Sequence, residues 1–239
     1  MARKLSNDEI SQGELEITAR LIDASNATLF GKIMLEDSKD EVSVAVVYKP
    51  ILGERPLWDF PDGNLASREV AAYQVSEFAG LHLVPTTVLR DGPFGIGAVQ
   101  QWIEVPEDYD PIEFGQSLDS RLRLMALFDC VVNNTDRKFG HILMDAEGNL
   151  FGCDHGVTFH QEDKLRTVLW QFAGERFSQF EQRVLLDLRD DFEGLRIQLT
   201  PLLSEGEINS LLLRINRLLE EGVFPYPSPQ WPAVPWPPV

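Results

Sequence analysis

Two aspartates stand at the two ends of a short apolar hairpin in the stretch NNTDRKFGHILMDAEGNLFGCDHG, residues 133–156. Asp136 precedes the first predicted strand of this hairpin, and Asp154 follows the second. Because a hairpin places its two ends side by side, the pattern predicts that the two carboxylates meet at one mouth. Such a pair suits metal-dependent phosphoryl transfer, in which one carboxylate orients or deprotonates a hydroxyl and the other holds a divalent ion.

The same chemistry needs a cation for the phosphates, and Lys49 at the end of the apolar run VAVVYK is the candidate. A lysine that ends a buried strand is expected to project its amine into a polar cleft. The helix predicted downstream offers Glu69 and Glu77, either of which could pair with Lys49 or be solvated. A strand lysine paired with a helix glutamate is the ion pair that protein kinases use.

The elements that must position these side chains fall into two groups along the chain. The first group is rich in strands, predicted over 14–21, 28–35, 41–49 and in VPTTVLRDG and FGIGAVQQWIEV, with a helix over 65–81. The second group is helical, with helices predicted over 117–134, 176–192 and 204–222 and the hairpin over 141–153. We therefore predict an α+β fold with a strand-rich lobe (1–103), a helical lobe (104–222) and a tail (223–239).

The tail, FPYPSPQWPAVPWPP, is rich in proline and tryptophan and cannot form a helix or a central strand. It is either a flexible, polyproline-like segment or a strap over the domain, and its two tryptophans favour the strap.

Composition excludes several classes of protein. The chain has 239 residues, is 44% hydrophobic, and carries 38 acidic against 21 basic residues, a net charge of −17. The size and apolar content support a substantial core, whereas the charge argues against a nucleic-acid partner and mildly against anionic lipid. Because no stretch resembles a signal peptide or a membrane span, we expect a cytoplasmic protein without stable membrane insertion. Cys130 and Cys153 lie in apolar runs and are expected to be buried free thiols.

Four segments, taken in order, resemble the catalytic domain of the phosphatidylinositol 3-/4-kinases. They are VVYKP with GERP, SREVAAYQVSEFAGLHLVPTTVL, LFDCVVNNTDR and ILMDAEGNLFGCDHG, and they cover roughly residues 14–160. The resemblance is greatest to the type II phosphatidylinositol 4-kinases, of which the chain would be a bacterial member. It implies a two-lobed, protein-kinase-like fold that binds ATP between its lobes.

The resemblance also assigns roles to single residues. Asp136 would be the catalytic-loop aspartate and Asp154 a metal ligand. Lys49 would contact the phosphates, and Glu69 rather than Glu77 would anchor it.

Further roles follow for the nucleotide site. The segment QQWIE would be the hinge, with backbone groups around Gln101, Trp102 and Ile103 meeting adenine. The segment SNAT would be the phosphate loop, in which Ser25 and Asn26 offer donors. Asp129, on the apolar stripe of its helix, is expected to be buried against the catalytic-loop backbone or Arg137.

Three residues depart from the family pattern. His141 stands where the family has an asparagine that is the second metal ligand; because magnesium prefers oxygen ligands, the site could favour manganese, use one metal or be weak in catalysis. Lys138 occupies a place where many lipid 3-kinases have histidine, and it could supply charge to the transferring phosphoryl group. His155 stands where a phenylalanine is usual. The segment HGVTFHQEDKLRTVLWQF, which corresponds to the head-group-selecting region, has few basic residues.

These observations predict an ATP-dependent phosphotransferase that uses Mg²⁺ or Mn²⁺. Its acceptor is expected to be a protein or small-molecule hydroxyl rather than a phosphoinositide, with lipid still possible. The alternative is a nucleotide-binding pseudokinase with a regulatory or scaffold role, which His141 favours. A third reading, transfer of AMP instead of phosphate, ranks last.

Overall fold

A five-stranded antiparallel sheet forms the first part of the computed structural model, which describes residues 5–21, 27–36, 41–61 and 63–239. The strand order is β1-β2-β3-β5-β4. The strands are β1 (Glu14–Arg20), β2 (Leu29–Glu36), β3 (Glu41–Pro50), β4 (Thr87–Gly92) and β5 (Gly95–Gln101). The central strand β3 pairs with β2 on one side and β5 on the other, which fixes the direction of Lys49 near its end. All five strands lie where the sequence predicted them.

Helix α2 (Leu65–Phe78) packs against this sheet and carries Glu69. Its first turn is capped twice: the Asn64 side chain accepts from the Ser67 amide at 2.7 Å, and the Glu54 carboxylate accepts from the amides of Leu65 and Ala66. These side chains satisfy backbone donors that have no partner within the helix. The helix ends just before Gly80, which has the left-handed φ of +65° that suits a helix stop.

The second part of the chain is helical and contains the larger apolar core. Its elements are α3 (Pro111–Gly115), α4 (Ser120–Val132), the hairpin strands β6 (Ile142–Met144) and β7 (Leu150–Gly152), α5 (Gln179–Asp190), α6 (Phe192–Leu199) and α7 (Glu205–Glu221). Capping boxes begin α5 at Ser178 and α7 at Ser204, as the Ser204–Glu207 spacing predicted. Three short helices were not predicted: α1 (Asn7–Gln12), α3 and α6.

The two lobes are joined by polar contacts on the side of α2. Arg68 of α2 and Glu207 of α7 form an ion pair at 2.6 Å, and both side chains are buried. In addition, the Lys164 ammonium lies 5.5 Å from the ring centre of Trp58 and 4.6 Å from that of Trp231. The lobe boundary at residues 103 and 104 and the tail boundary at 222 and 223 stay predictions.

The tail lies as a strap along the helical lobe. The Ala233 carbonyl accepts from the Thr167 amide at 3.1 Å and from the Trp170 indole at 2.8 Å. Further along, the Pro238 carbonyl accepts from the Phe139 amide at 2.9 Å. The strap interpretation therefore describes the tail, although Trp236 is 89% exposed and contributes little packing.

The expectation of two buried free thiols holds for Cys130 and only in part for Cys153. Both cysteines are free; Cys130 is buried, and Cys153 is only partly buried. Over the part of the chain that the structure describes, none of the helices combines the length and the apolar character needed to cross a bilayer.

Candidate active site

The hairpin β6–β7 brings three potential metal ligands together at its open end. Its strands are only three residues long, yet they pair in register from Ile142 with Gly152 to Met144 with Leu150. Asp136, His141 and Asp154 each offer one ligand atom there, and these atoms all lie within 4.8 Å of one another. The two carboxylates therefore lie close together at the hairpin, as the sequence pattern predicts.

Lys49 joins the two lobes at this point. Its ammonium group donates to the Glu69 carboxylate and to Oδ1 of Asp154, the latter at 2.9 Å. The second Glu69 oxygen accepts from the His155 amide at 2.9 Å, so one buried carboxylate orients both the lysine and the loop after β7. Glu77, the alternative partner, instead contacts His82 at 2.8 Å.

Lys49, Glu69 and Asp154 influence one another's pKa values. Burial disfavours the Lys49 ammonium, but the carboxylates of Asp154 and Glu69 outweigh burial and hold the pKa of Lys49 above its ordinary range. The nearby Lys49 ammonium also holds the pKa of Asp154 well below its ordinary value. Burial raises the pKa of Glu69, which faces a second carboxylate in Asp154. Asp154 is thus ionised at neutral pH, as a metal ligand must be.

A buried ion pair packs against the loop that carries Asp136, on the side away from the cleft. Asp129 accepts from Nη2 of Arg137 at 2.8 Å and from Nε at 3.0 Å, and neither side chain is exposed. The Asn134 side chain donates to Asp129 at 3.0 Å and accepts from the Asp136 amide at 3.0 Å. The expected burial of Asp129 against Arg137 is confirmed, and the pair fixes the loop without facing the cleft.

Asp136 itself lies between two cations. Lys138 Nζ is 3.7 Å from one carboxylate oxygen, and Arg166 Nη2 is 3.9 Å from the other. Burial raises the pKa of Asp136, while Lys138 and Arg166 oppose that effect. A carboxylate with a raised pKa accepts a proton more readily, which suits a group that orients or deprotonates a hydroxyl.

The protonation state of His141 suits metal binding. Burial lowers the pKa of its imidazole to about 4, so the ring is neutral at pH 7. Its Nε2 atom lies 3.4 Å from Oδ2 of Asp154, and its buried Nδ1 atom has no hydrogen-bond partner among the residues that the structure describes. A neutral imidazole with two carboxylates is a donor set that suits a divalent metal, and it suits a transition metal better than magnesium. The residues present therefore fit an ion at this position.

A cavity of about 600 Å³ opens beside this cluster, between the sheet and the hairpin. The cavity is lined by apolar side chains and by the segment that runs from β5 into the next loop. The lining residues include Thr28, Val47, Lys49, Gln101, Trp102, Ile103, Leu143 and Asp154. Its size and largely apolar walls fit a nucleotide base and sugar, with the charged cluster at one end.

The predicted hinge residues lie on this cavity, but two of their backbone groups are already used. The Gln101 amide donates to the Thr86 carbonyl, and the Trp102 amide donates to the Ala45 carbonyl, both at 2.9 Å. The Gln101 side chain accepts from the Leu5 amide. An adenine at the predicted hinge would therefore need amide donors from Ile103 onward. Ser25 and Asn26, the predicted phosphate-loop residues, lie outside the described residues.

A second cavity of about 520 Å³ continues past the charged cluster to the other side of Asp136. Beyond the cluster it is lined by Arg55, Leu57, Phe60, Lys138, Arg166 and Val239, so both lobes and the tail contribute. Sequence reasoning missed Arg166 and the tail here. The only sequence signal was that Arg166 is one of two basic residues in its segment.

Comparison with solved structures finds a similar architecture in three proteins, two of which are kinases by name. The Golgi casein kinase with manganese and ADP bound matches 89% of this chain and 73% of its own, at 11% identity and a TM-score of 0.60. The structure of hydra Fam20 with sugar matches 90% and 86%, at 11% identity and a TM-score of 0.55. The Helicobacter pylori proinflammatory kinase CtkA matches 90% and 94%, at 13% identity and a TM-score of 0.52. The fold is therefore kinase-like, two-lobed and α+β, as predicted.

A sequence relative shows the family more directly. Protein Rv2133c of Mycobacterium tuberculosis (strain ATCC 25618 / H37Rv) is 38% identical over 276 aligned positions, which span 99% of this chain and 98% of that protein. The chain belongs to the same family as Protein Rv2133c. No family model matches the chain.

Proposed function

We propose that this protein is an ATP-dependent phosphotransferase. The observation that carries the proposal is the bridge from Lys49 to both Glu69 and Asp154, opposite Asp136. The Lys49–Glu69 pair is the ion pair that kinases require for phosphate binding, and Asp154 lies where a kinase holds its metal ion. The resemblance to phosphatidylinositol 3-/4-kinases, and to type II phosphatidylinositol 4-kinases in particular, is part of the proposal and rests on the four sequence segments.

In this scheme ATP binds with its base in the first cavity, near Ile103, and its phosphates near Lys49. A Mg²⁺ or Mn²⁺ ion held by Asp154 and His141 would neutralise charge on the phosphates. Asp136 orients the acceptor hydroxyl and takes its proton. The hydroxyl oxygen bonds to the γ-phosphorus as the bond from that phosphorus to the bridging oxygen breaks, and ADP leaves. Lys138 offsets charge on the transferring group.

The pseudokinase alternative draws on His141, because an imidazole replaces the usual oxygen ligand. In that case the protein would bind nucleotide and regulate a partner without transferring phosphate. Transfer of AMP remains the last-ranked alternative.

The experiment compares wild type with Asp136→Asn, using ATP labelled at the α- or the γ-phosphate. We expect label from the γ-position, but none from the α-position, to reach an acceptor in wild type only. Nucleotide binding, measured by thermal stability, should be largely unchanged in Asp136→Asn. Equal transfer by wild type and variant would refute the role of Asp136. Transfer of α-label would support AMP transfer, and nucleotide binding without hydrolysis or transfer would support the pseudokinase.

A further inference from the structure

The segment from Arg166 to Val168, which follows the hairpin, is hydrogen-bonded along the loop that carries Asp136. Arg166 donates its amide to the Asn134 carbonyl at 2.9 Å and accepts from the Arg137 amide at 3.1 Å. Val168 donates to the Arg137 carbonyl at 3.2 Å. The backbone on this side of Asp136 therefore forms a ladder within the chain.

The tail occupies the neighbouring backbone positions. Ala233 accepts from the Thr167 amide at 3.1 Å, and Pro238 accepts from the Phe139 amide, three residues beyond Asp136, at 2.9 Å. Val239 then lines the second cavity, the one of about 520 Å³ that extends past Asp136. A peptide that binds by adding a strand needs free backbone groups at the edge it joins. Here those groups are bonded to the chain itself, which favours a small molecule entering a cavity.

The same cavity is lined by four basic side chains, Lys49, Arg55, Lys138 and Arg166, which stand among carboxylates that include Asp59, Asp136 and Asp154. Arg166 donates through Nε to the Thr135 carbonyl at 2.7 Å, and its guanidinium lies 6.0 Å from the ring centre of Trp231. Its Nη2 atom is 3.9 Å from Asp136, beyond hydrogen-bond distance. The guanidinium is thus held in place near the reacting hydroxyl. Arginine recognises carboxylate and phosphate groups by two parallel hydrogen bonds.

We propose that the acceptor is a small hydroxylated molecule that also carries a carboxylate or phosphate group, and that Arg166 binds this anionic group beside Asp136. The inference rests on the proposed phosphotransferase function and narrows its substrate class. The hydroxyl of such a molecule would point to Asp136, and the product would be its phosphate ester with ADP.

The first test measures anion binding without knowledge of the acceptor. Thermal unfolding is followed with AMP-PNP and Mn²⁺ present, so that the γ-phosphate position is filled, while sulfate replaces chloride at constant ionic strength. Near ten times its dissociation constant, sulfate should raise the wild-type unfolding temperature by about 3 °C. The rise should shrink in Arg166→Gln to the general stabilisation that sulfate gives a folded protein, and it should return in part in Arg166→Lys. Arg183→Gln, an exposed residue of α5, is the matched control.

Each outcome of this test is decisive. No sulfate effect in wild type, or an equal effect in Arg166→Gln, would overturn the proposal. A variant that still gains stability from AMP-PNP has kept its fold, so a reduced sulfate effect then belongs to the anion site. Absence of any metal-dependent AMP-PNP effect in wild type would instead refute the proposed function.

The second test compares acceptors in matched pairs, with γ-labelled ATP and Mn²⁺. The pairs are glycerol against glycerate and glucose against glucose 6-phosphate, alongside casein and phosphatidylcholine vesicles that contain phosphatidylinositol. We expect at least tenfold more label on the anionic member of a pair, and a loss of that preference in Arg166→Gln. Label on casein alone, on vesicles alone or preferentially on the neutral members would overturn the proposal while leaving a phosphotransferase.

Discussion

Nε2 of His141 lies 3.4 Å from Oδ2 of Asp154, so an imidazole and a carboxylate face one another where the proposed ion would bind. Imidazole is a better ligand for transition metals than for magnesium, which favours oxygen. We expect Mn²⁺ to support AMP-PNP binding at lower concentration than Mg²⁺ in wild type. His141→Asn restores an oxygen ligand and should bring the two metals closer together. Thermal stability measured against metal concentration, with AMP-PNP fixed, gives both apparent affinities.

His82→Asn is a suitable control for this substitution. His82 is largely exposed and contacts Glu77 on the far end of α2, and its left-handed φ of +51° suits asparagine. The His82→Asn substitution should leave the ratio of the Mn²⁺ and Mg²⁺ affinities unchanged. An unaltered ratio in His141→Asn as well would mean that His141 does not bind the ion.

Asp154 is expected to make nucleotide binding depend on metal. A ligand at about 100 times its dissociation constant stabilises a fold by roughly 2.7 kcal/mol. In wild type that gain should need the divalent ion, and Asp154→Asn should lose the metal-dependent part, as seen by thermal unfolding with and without EDTA. Asparagine is the suitable replacement because Asp154 has a left-handed φ of +60°, which asparagine adopts readily.

Asp108→Asn, in the exposed turn between the lobes, controls for the loss of one negative charge. If Asp154→Asn retains the full metal-dependent gain, the ion does not bind at Asp154.

The central part of this site was predictable because its signals are local. A hairpin of known direction must bring its ends together, so the approach of Asp136 and Asp154 follows from spacing alone. Lys49 likewise follows from the apolar run that precedes it. The choice of Glu69 over Glu77 needed the family resemblance, since both are on one helix and periodicity does not separate them.

Other features depend on contacts between distant segments, which spacing does not encode. Arg166 reaches Asp136 only because its segment pairs with the catalytic loop, and Pro238 reaches Phe139 only through the path of the tail. The sequence predicts backbone groups around Trp102 and Ile103 at the hinge, but it does not show that the Trp102 amide bonds to the Ala45 carbonyl. Helices α1, α3 and α6 were missed because each has eight residues or fewer, too short for a clear helical period.

His141 should also make the metal-free protein less stable in mild acid. Its pKa is about 4 when folded and is near 6.5 in an unfolded chain, so only the unfolded state gains a proton between those values. Stability from neutral His141 is therefore present above pH 6.5 and is lost as the pH falls toward 4. The contribution of His141 to the free energy of unfolding should fall by about 2 kcal/mol between pH 7 and pH 4.5.

Urea denaturation in EDTA at both pH values measures this loss. The decrease should be smaller by about that amount in His141→Asn than in wild type, because the variant has no imidazole to titrate. Equal decreases in the two proteins would show that folding does not lower the pKa of His141.

The buried pair behind the catalytic loop should be strongly coupled. Asp129 and Arg137 have no exposed side-chain surface and bond through two nitrogen atoms of the guanidinium. Removing one partner leaves an uncompensated buried charge, so Asp129→Leu or Arg137→Met alone should cost about 3–5 kcal/mol. The double variant should cost clearly less than the sum of the single variants, because it buries no lone charge. Urea denaturation of the four proteins at pH 7 gives the coupling energy.

The exposed pair Arg183 and Asp187 on α5, joined at 2.8 Å, provides the comparison cycle. Its coupling should be about 0.5 kcal/mol or less, because exposed pairs gain little and are screened by salt. If the costs of Asp129→Leu and Arg137→Met simply add, the loop is held by its backbone bonds to the segment around Arg166 instead of by the ion pair. In that case Asp136 would keep its position in the double variant, and nucleotide stabilisation measured on that protein would be unchanged.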